Sequence, residues 1–404
     1  MTEIIDHKEF FTIHIFILKV LGFWKPHHQM SYSHLYNFYT TACSFLWLLY
    51  LMSQAIYVIT SLNDIVELTF LLFTGVAYSA NFIKTIIMYS NSEVIESWIE
   101  KLDQPIFQPK CKEHHNMAQS TKKFYKKLFY TFLYFGVQSS VFFCILPFFR
   151  KEKSMVSVGW FPCDWKVSPI MRFFAFQCSI IFWNTMTCLT LDLFSAGLLI
   201  QIGLQCDYLI VTLNCLNTCF VENGVLRKRD ESSGHLIQRD SERFSHTITT
   251  NMIVCIEHYR EIKKLSKEIE KLHRTSIFFL FAGAEIFICS ALFQITSVTT
   301  GTIEFFLVVF SLVTFLMEQF IYCWFGNDII HKSEKIPDAI YNTPWLECDL
   351  QYKKILVNFM IQTKLPINIM VGKLFPMSIP VFKSIVQAAY SFFTVLKHMQ
   401  DKRI

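Results

Sequence analysis

Seven long apolar stretches with few or no charged side chains constrain the fold of this chain more than any other feature. In the first, no Asp, Glu, Lys or Arg stands between Lys25 and Asp64. About 20 apolar residues span the hydrocarbon core of a bilayer as a helix, because a helix satisfies its own backbone hydrogen bonds. We therefore predict an all-α polytopic membrane protein with seven transmembrane helices. Their predicted cores are residues 42–59, 65–89, 128–149, 170–206, 275–299, 303–325 and 377–396.

The composition argues against soluble protein classes. Charged residues make up 17% of the chain, whereas soluble domains carry about 25%. Lys and Arg number 37 against 32 Asp and Glu, without a long basic tract, so we expect no nucleic-acid partner. The sequence contains none of the common hydrolase, zinc-protease or nucleotide-binding motifs, so we predict that the protein is not an enzyme.

The cysteines and histidines give only weak indications of special chemistry. Cys111 precedes His114 and His115, but adjacent histidines in one surface segment rarely form a metal site. We therefore expect no metal and no cofactor. Cys163 lies in a predicted outer loop, and a disulfide from it to Cys178 is a further hypothesis.

The distribution of basic residues predicts the orientation in the membrane. The segments before span one and after spans two, four and six contain 27 Lys and Arg, and the alternate segments contain 7. Because basic residues concentrate on the cytoplasmic side, we predict a cytoplasmic N-terminus and an extracellular C-terminus. A metabotropic seven-helix receptor has the opposite orientation, and its Asp-Arg-Tyr and Asn-Pro-x-x-Tyr motifs are absent. Transporters often show two similar halves, which this sequence lacks. These two classes are the alternatives to be tested.

The predicted cytoplasmic segments carry helical patterns of their own. Over 251–274, apolar residues including Leu265 and Leu272 recur at spacings of three and four, and over 350–364 a second amphipathic helix is predicted. These apolar faces either pack within one subunit or form an assembly surface, for which Leu265 and Leu272 are the candidates. The charged stretch 222–246 predicts a loop. The predicted divisions are 1–36, a cytoplasmic segment; 37–325, six spans with extended cytoplasmic loops at 90–127 and 203–274; 326–376, a cytoplasmic assembly region; and 377–404, the seventh span with a short extracellular tail.

The last 85 residues contain a series of motifs at specific spacings. They are the run QFIYCWFGN over Gln319–Asn327, then Ser333-Glu334, Tyr341, Trp345, Gly372-Lys373, and YSFFT over Tyr390–Thr394. This pattern resembles the C-terminal signature of insect odorant receptors, and Leu21–Pro26 is similar to a motif near their N-terminus. The resemblance implies a ligand-gated, non-selective cation channel in the plasma membrane. It also implies a divergent tuning subunit that assembles with a shared co-receptor around one central pore.

The resemblance further implies an odorant pocket in the outer half of the bundle, between spans two and six. Small, mostly apolar ligands need a concave apolar site with one or two polar groups. Because the chain has 42 Phe, each aromatic candidate is alternatively a packing or lipid-facing residue. The candidate ligand-binding residues are Phe70, Phe73, Thr74, Ala77, Ser139, Phe142, Phe143, Leu146, Phe174, Gln177, Ile181, Leu292, Phe293, Phe305 and Val309.

The seventh span is the pore candidate. It is the least hydrophobic of the seven, and small or polar residues recur along one side of it. Small side chains leave room for water, and an apolar member can gate a pore by dewetting; the alternative is a stripe that packs helices together. The candidate pore-lining residues are Ser384, Gln387, Ala388, Ser391 and Val395. Two positions depart from the family pattern, which is usually uncharged at Lys383 and basic at Gln387.

Three carboxylates lie well inside predicted spans, away from the span ends where Glu67 and Glu304 stand. Asp192, Glu285 and Glu318 all fall in the inner halves of their helices, where a buried charge requires a partner or water. They either line a cation exit path, pair with Lys84, or form a structural ionic network.

Overall fold

A computed structural model describes residues 6–25, 33–60, 65–149, 170–216, 219–222, 225–228 and 239–401. This part of the chain forms eleven α-helices and two short antiparallel hairpins. The helices are α1 (Lys8–Val20), α2 (Ser33–Thr60), α3 (Ile65–Ser90), α4 (Ser92–Leu102), α5 (Lys112–Phe149), α6 (Ile170–Cys215), α7 (Arg239–Ser297), α8 (Ile303–Glu334), α9 (Ile336–Tyr341), α10 (Leu350–Thr363) and α11 (Ile379–Asp401). Strand β1 (Cys219–Glu222) pairs with β2 (Val225–Lys228), and β3 (Met370–Val371) pairs with β4 (Phe375–Pro376).

Seven of these helices, α2, α3, α5, α6, α7, α8 and α11, are long and apolar enough to cross a bilayer, which confirms the predicted seven-helix architecture. Several are much longer than a bilayer requires. At 1.5 Å per residue, the 46 residues of α6 extend about 69 Å and the 59 residues of α7 about 88 Å. Because the hydrocarbon core is about 30 Å thick, these helices continue well beyond any membrane they cross.

Residues 90–127 and 203–274, expected as extended loops, are largely helical where the structure describes them, and the predicted loop 222–246 lies partly outside the described residues. In the first of these, α4 buries Ile95, Trp98, Ile99 and Leu102, whose spacing of three and four places them on one face. In the third, the β1–β2 hairpin covers part of the stretch, and α7 begins at Arg239. Charged side chains such as Glu93, Glu100 and Lys264 lie on exposed helix faces, so charge content alone was a poor sign of a loop.

The short N-terminal helix α1 is an element that the sequence patterns did not reveal. Its buried face consists of Phe10, Phe11, His14 and Leu18. The Phe11 ring lies 4.9 Å from the ring of Phe194 on α6. The N-terminal segment is thus part of the helical core rather than an extension from it.

Two close contacts set the position of α11 against α8. A Cβ atom added to Gly326 would lie 2.5 Å from the carbonyl oxygen of Met377, so only glycine permits this approach. The rings of Phe320 and Phe382 lie 5.6 Å apart. Helix α8 continues past Gly326 to Glu334, so this glycine serves packing rather than helix termination.

Candidate functional site

An aromatic stack at the centre of the bundle joins three membrane-spanning helices. The ring of Phe287 on α7 lies 4.5 Å from the ring of Phe73 on α3 and 3.9 Å from the ring of Phe315 on α8, and both pairs are stacked. Phe73 was predicted from sequence as a ligand-binding residue, and its two partners were not. Helices α7 and α8 are apolar around most of their circumference, so the sequence did not show which side faces inward.

The other predicted pocket residues divide by burial. Four further residues are buried, namely Thr74, Gln177, Ile181 and Phe293. Eight are half-buried, namely Phe70, Ala77, Ser139, Phe143, Phe174, Leu292, Phe305 and Val309. Phe142 is 42% exposed and lies beside Phe310, with ring centres 6.1 Å apart, so it faces outward in a single chain. The side chain of Leu146 lies outside the described residues.

A cavity of about 50 Å³ lies between α3, α6, α7 and α8, next to the aromatic stack. Its wall is apolar on one side and contains amide, thiol, ammonium and carboxylate groups on the other. A space of this size admits a few water-sized groups. The lining residues are Val76, Ala77, Ala80, Asn81, Lys84, Asn184, Cys188, Leu280, Gly283, Phe315 and Glu318.

A buried ionic network forms the polar side of this cavity. Lys84 on α3 is ion-paired with Asp192 on α6, and both side chains are buried. Asp192 also accepts hydrogen bonds from the hydroxyl of Tyr322 at 2.6 Å and from the thiol of Cys188 at 3.2 Å. The Cys188 sulfur lies 3.7 Å from a carboxylate oxygen of Glu318 on α8. The network therefore ties α3, α6 and α8 together around one buried cation.

Three side chains of the same network carry atoms of the kind that bind metal ions. Cys188, Asp192 and Glu318 place one donor atom each within 4.8 Å of one another, which is a possible ligand set for a cation. The Lys84 ammonium is already bonded to Asp192 and supplies a positive charge there. Of the three carboxylates singled out in the sequence, Asp192 and Glu318 belong to this network, and Glu285 lies half-buried on α7 apart from it.

The histidine and cysteine candidates have structural surroundings. The ring of His114 stacks on Tyr208 at 4.4 Å, and its Nδ1 accepts a hydrogen bond from the Lys110 backbone N–H at 3.3 Å. His114 is therefore fixed by packing against α6. Cys163 lies outside the described residues, so the hypothesis of a Cys163–Cys178 disulfide is untested.

Helix α11 presents the predicted pore residues on its uncovered side. Ile385 and Ala389 are buried against the rest of the chain. Ser384, Gln387, Ser391 and Val395 are exposed, and Ala388 is half-buried. The Ser391 hydroxyl donates to the Gln387 carbonyl oxygen at 3.0 Å, and the Ser384 hydroxyl donates to the Pro380 carbonyl oxygen at 3.1 Å. Lys383 is also exposed.

The predicted assembly residues lie inside the chain. Leu265 is 4% exposed, and Leu272 is half-buried against the same core. Their seam packs within the subunit, because this part of α7 lies along the chain's own hydrophobic core. The uncovered apolar surface of this region is instead on α10 and its flanks. It consists of Leu346, Leu350, Val357, Ile361 and Leu365, each more than half exposed, which we call the α10 surface.

Comparisons with known proteins agree with this architecture. A family described as 7tm Odorant receptor matches residues 64–390. Odorant receptor Or1 of Anopheles gambiae is 22% identical over 98% of this chain and 97% of its own length. Odorant receptor 46a, isoform A, of Drosophila melanogaster is 22% identical over 94% of this chain and 93% of its own length.

A solved structure shares the fold over nearly the whole chain. The olfactory receptor OR5 from Machilis hrabei in complex with eugenol matches with a TM-score of 0.81 at 12% identity, covering 97% of this chain and 98% of that chain. The family match spans well over half of the chain and confirms the resemblance found in the C-terminal motifs. The chain belongs to the insect odorant receptor family.

Proposed function

We propose that this chain is the tuning subunit of a ligand-gated, non-selective cation channel in the plasma membrane. It binds small, mostly apolar odorants in the outer half of its helical bundle and opens a central pore together with a shared co-receptor. The observation that carries the proposal is the exposed stripe of small and polar residues on α11, in a chain that belongs to the odorant receptor family.

The α11 stripe supports a pore because it is uncovered in a single chain. Ser384, Gln387 and Ser391 point away from the buried Ile385 and Ala389. Exposed polar side chains on a membrane-spanning helix are unfavourable against lipid and favourable against water. Assembly of several subunits around a common axis would turn this side of α11 to an aqueous path, and Val395 would supply an apolar ring that can gate it.

The α10 surface supports assembly with other subunits. Val357 and Ile361 are four residues apart, so they lie on one side of α10, and Leu365 follows just after the helix ends. The opposite side, with Tyr352, Leu356 and Phe359, is buried in the chain's own core. Exposed apolar residues clustered in this way favour a protein interface. We therefore assign co-receptor contact to the α10 surface rather than to Leu265 and Leu272.

The odorant pocket is supported by the aromatic stack and its surroundings. Phe73, Thr74 and Ala77 occupy the inward side of α3, where Phe287 and Phe315 also meet. Large apolar rings with a few polar groups at the edge suit a small volatile ligand. Because these side chains are interchangeable in chemistry, the odorant itself is left to experiment.

The test is electrical recording from cells that express this chain with a co-receptor, exposed to an odorant panel. A channel conducts without G-protein turnover, so current should rise within milliseconds and persist after depletion of cytoplasmic nucleotides. Cells that express the co-receptor alone are the control. A response that disappears with GTP would favour the metabotropic alternative, and substrate uptake without current would favour the transporter.

A further inference from the structure

A groove on the side of the bundle opens between α2, α3 and α7. It has a volume of about 570 Å³ and a mostly apolar wall. Its floor is deep because residues without large side chains line it, among them Ala55, Gly75 and Ala282. All three helices are long and apolar enough to cross a bilayer, so in a membrane the solvent at this groove is lipid.

The groove and the inner cavity are separated by a wall one residue thick. Val76, Ala80 and Gly283 line both spaces. A Cβ atom added to Gly283 would lie 2.8 Å from Cγ1 of Val76. The side chain of Val76 on α3 thus packs closely against Gly283 of α7, and these two residues form part of the wall between the two spaces.

The inner cavity contains a polar atom without a partner. Asn81 is 3% exposed, and its Nδ2 donates to the backbone oxygen of Asn184 at 3.1 Å and to its Oδ1 at 2.8 Å. Because both of these neighbours are acceptors, the orientation of the Asn81 amide is fixed by hydrogen bonding. Its Oδ1 then receives no hydrogen bond from any residue that the structure describes. A buried acceptor in this state favours an incoming donor.

We propose that the groove and the cavity form one binding site for a neutral alcohol with an apolar tail, which enters from the lipid. The hydroxyl donates to Oδ1 of Asn81, and the tail passes between Val76, Ala80 and Gly283 into the groove. This deepens the proposed function by naming a ligand class and its route, and it rests on that function only for the link to channel opening.

The route and the acceptor select against other ligand classes. A ligand that enters through lipid has to leave water, which is far more costly for an ionised amine or carboxylate than for a neutral alcohol. An aldehyde, ester or hydrocarbon of the same length has no hydrogen to donate to Asn81. The site therefore distinguishes an alcohol from its close analogues by one hydrogen bond, which corresponds to about a tenfold difference in affinity.

The test is photolabelling of the full-length chain in lipid nanodiscs with 1-octanol that carries a diazirine group. Peptide mapping should place the label on residues 75–84 and 279–286. Excess 1-octanol should compete about tenfold better than octanal or octane at equal membrane concentration. Equal competition by all three compounds would show that the groove holds any apolar chain, including a lipid tail, and would overturn the proposal.

Two substitutions locate the polar end and the passage. Asn81→Leu removes the acceptor at similar volume, so 1-octanol should lose its advantage over octane. Gly283→Val closes the passage, so label should disappear from Ala77, Asn81 and Lys84, which line the cavity and not the groove, and should remain on the groove residues. Ala282→Val is the matched control, because Ala282 lines the groove and not the cavity. If Asn81→Leu does not fold, as judged by size-exclusion chromatography, the competitor series on the unsubstituted chain still decides.

Photolabelling does not require an odorant-evoked current, so it tests the alcohol site separately from the proposed function. Odorant-evoked currents without selective labelling would contradict the proposed alcohol site and leave the proposed function intact. Selective labelling without any odorant-evoked current would support the alcohol site and contradict the proposed function.

Discussion

At the scale of single residues, Lys84 is a buried charged side chain whose stability depends on its ion pair. It is paired with Asp192, shares a cavity with Glu318, and is 3% exposed. Lys84→Met keeps the shape of the side chain and leaves the buried Asp192 carboxylate without its cation. Loss of one partner from a buried ion pair costs about 3 to 5 kcal/mol, so the purified chain should melt at a clearly lower temperature. Lys84→Met combined with Asp192→Asn should recover part of the loss.

The control for this prediction is an exposed ion pair. Lys8 lies 3.8 Å from Glu100, and both side chains are more than half exposed. Surface pairs contribute about 0 to 1 kcal/mol, so Lys8→Met should change the melting temperature little. Equal effects of the two substitutions would mean that the Lys84 pair is not buried in the folded protein.

A second residue, His14, makes the packing of α1 against the core dependent on pH. His14 is 2% exposed, its Nε2 lies 3.1 Å from the Tyr125 hydroxyl, and burial lowers its pKa to about 3. The unfolded segment binds a proton near pH 6.5 and the docked helix does not. The packing of α1 against the rest of the chain is therefore most stable above pH 6.5, and its stability falls as the pH falls toward 3. Between pH 7 and pH 5 the loss is about 2 kcal/mol.

Hydrogen exchange in α1 measures this effect. Protection of the amides around Phe10 and Leu18 should fall from pH 7 to pH 5 after correction for intrinsic exchange rates. His14→Phe removes the titrating group and should flatten the dependence. Burial also lowers the pKa of His7, so a residual slope of the same sign is expected in that variant. Protection that rises on acidification would contradict the buried neutral state.

At the scale of elements, the sequence predicted the spans because the bilayer imposes a strong constraint on length and charge. The apolar runs ending near Ile59, Tyr89 and Phe325 all fall within α2, α3 and α8. Helix α1 was missed because the apolar run from Phe10 to Leu18 is too short to span a bilayer and is flanked by charges at Glu9 and Lys19. In the candidate site, Phe73 and Thr74 were predicted to face the interior, since a polar residue such as Thr74 within an apolar helix indicates a side turned away from lipid.

Other parts of the site depend on facts that a sequence pattern does not contain. Phe287 and Phe315 belong to helices that are apolar on several sides, and only packing decides which ring faces Phe73. Leu265 has the spacing of an assembly seam, yet the chain itself covers it. Periodicity identifies an apolar face, and the three-dimensional arrangement determines what covers that face.

This distinction gives a prediction for helices α7 and α10. Leu265→Asp places a charge inside the subunit and should lower the melting temperature of the chain itself. Val357→Asp and Ile361→Asp lie on the α10 surface, so each should leave melting nearly unchanged and reduce co-purification with the co-receptor. Asn358→Asp is the control, since it adds the same residue type at another exposed position of α10. Intact co-purification of the Val357 and Ile361 variants would place the interface elsewhere.

At the scale of the whole molecule, the asymmetry of basic residues fixes the expected orientation. With 27 Lys and Arg on one side and 7 on the other, the N-terminus should be cytoplasmic and the C-terminus extracellular. An epitope after Ile404 should therefore stain on intact cells, and one before Met1 only after permeabilisation. The reverse pattern would fit a metabotropic receptor and contradict the channel.

The central claim is that α11 lines a ligand-gated pore, and cysteine accessibility tests it most directly. Gln387 and Ser391 lie on the exposed stripe, whereas Phe392, which is also 57% exposed, lies about 100° around the helix from Ser391 and outside the stripe. Each position is replaced by Cys in turn, and the chain is expressed with the co-receptor. A small water-soluble thiol reagent should block the odorant-evoked current at Gln387→Cys and Ser391→Cys. The unsubstituted chain and Phe392→Cys should keep their current. Equal, negligible block at all three positions would contradict a pore along α11.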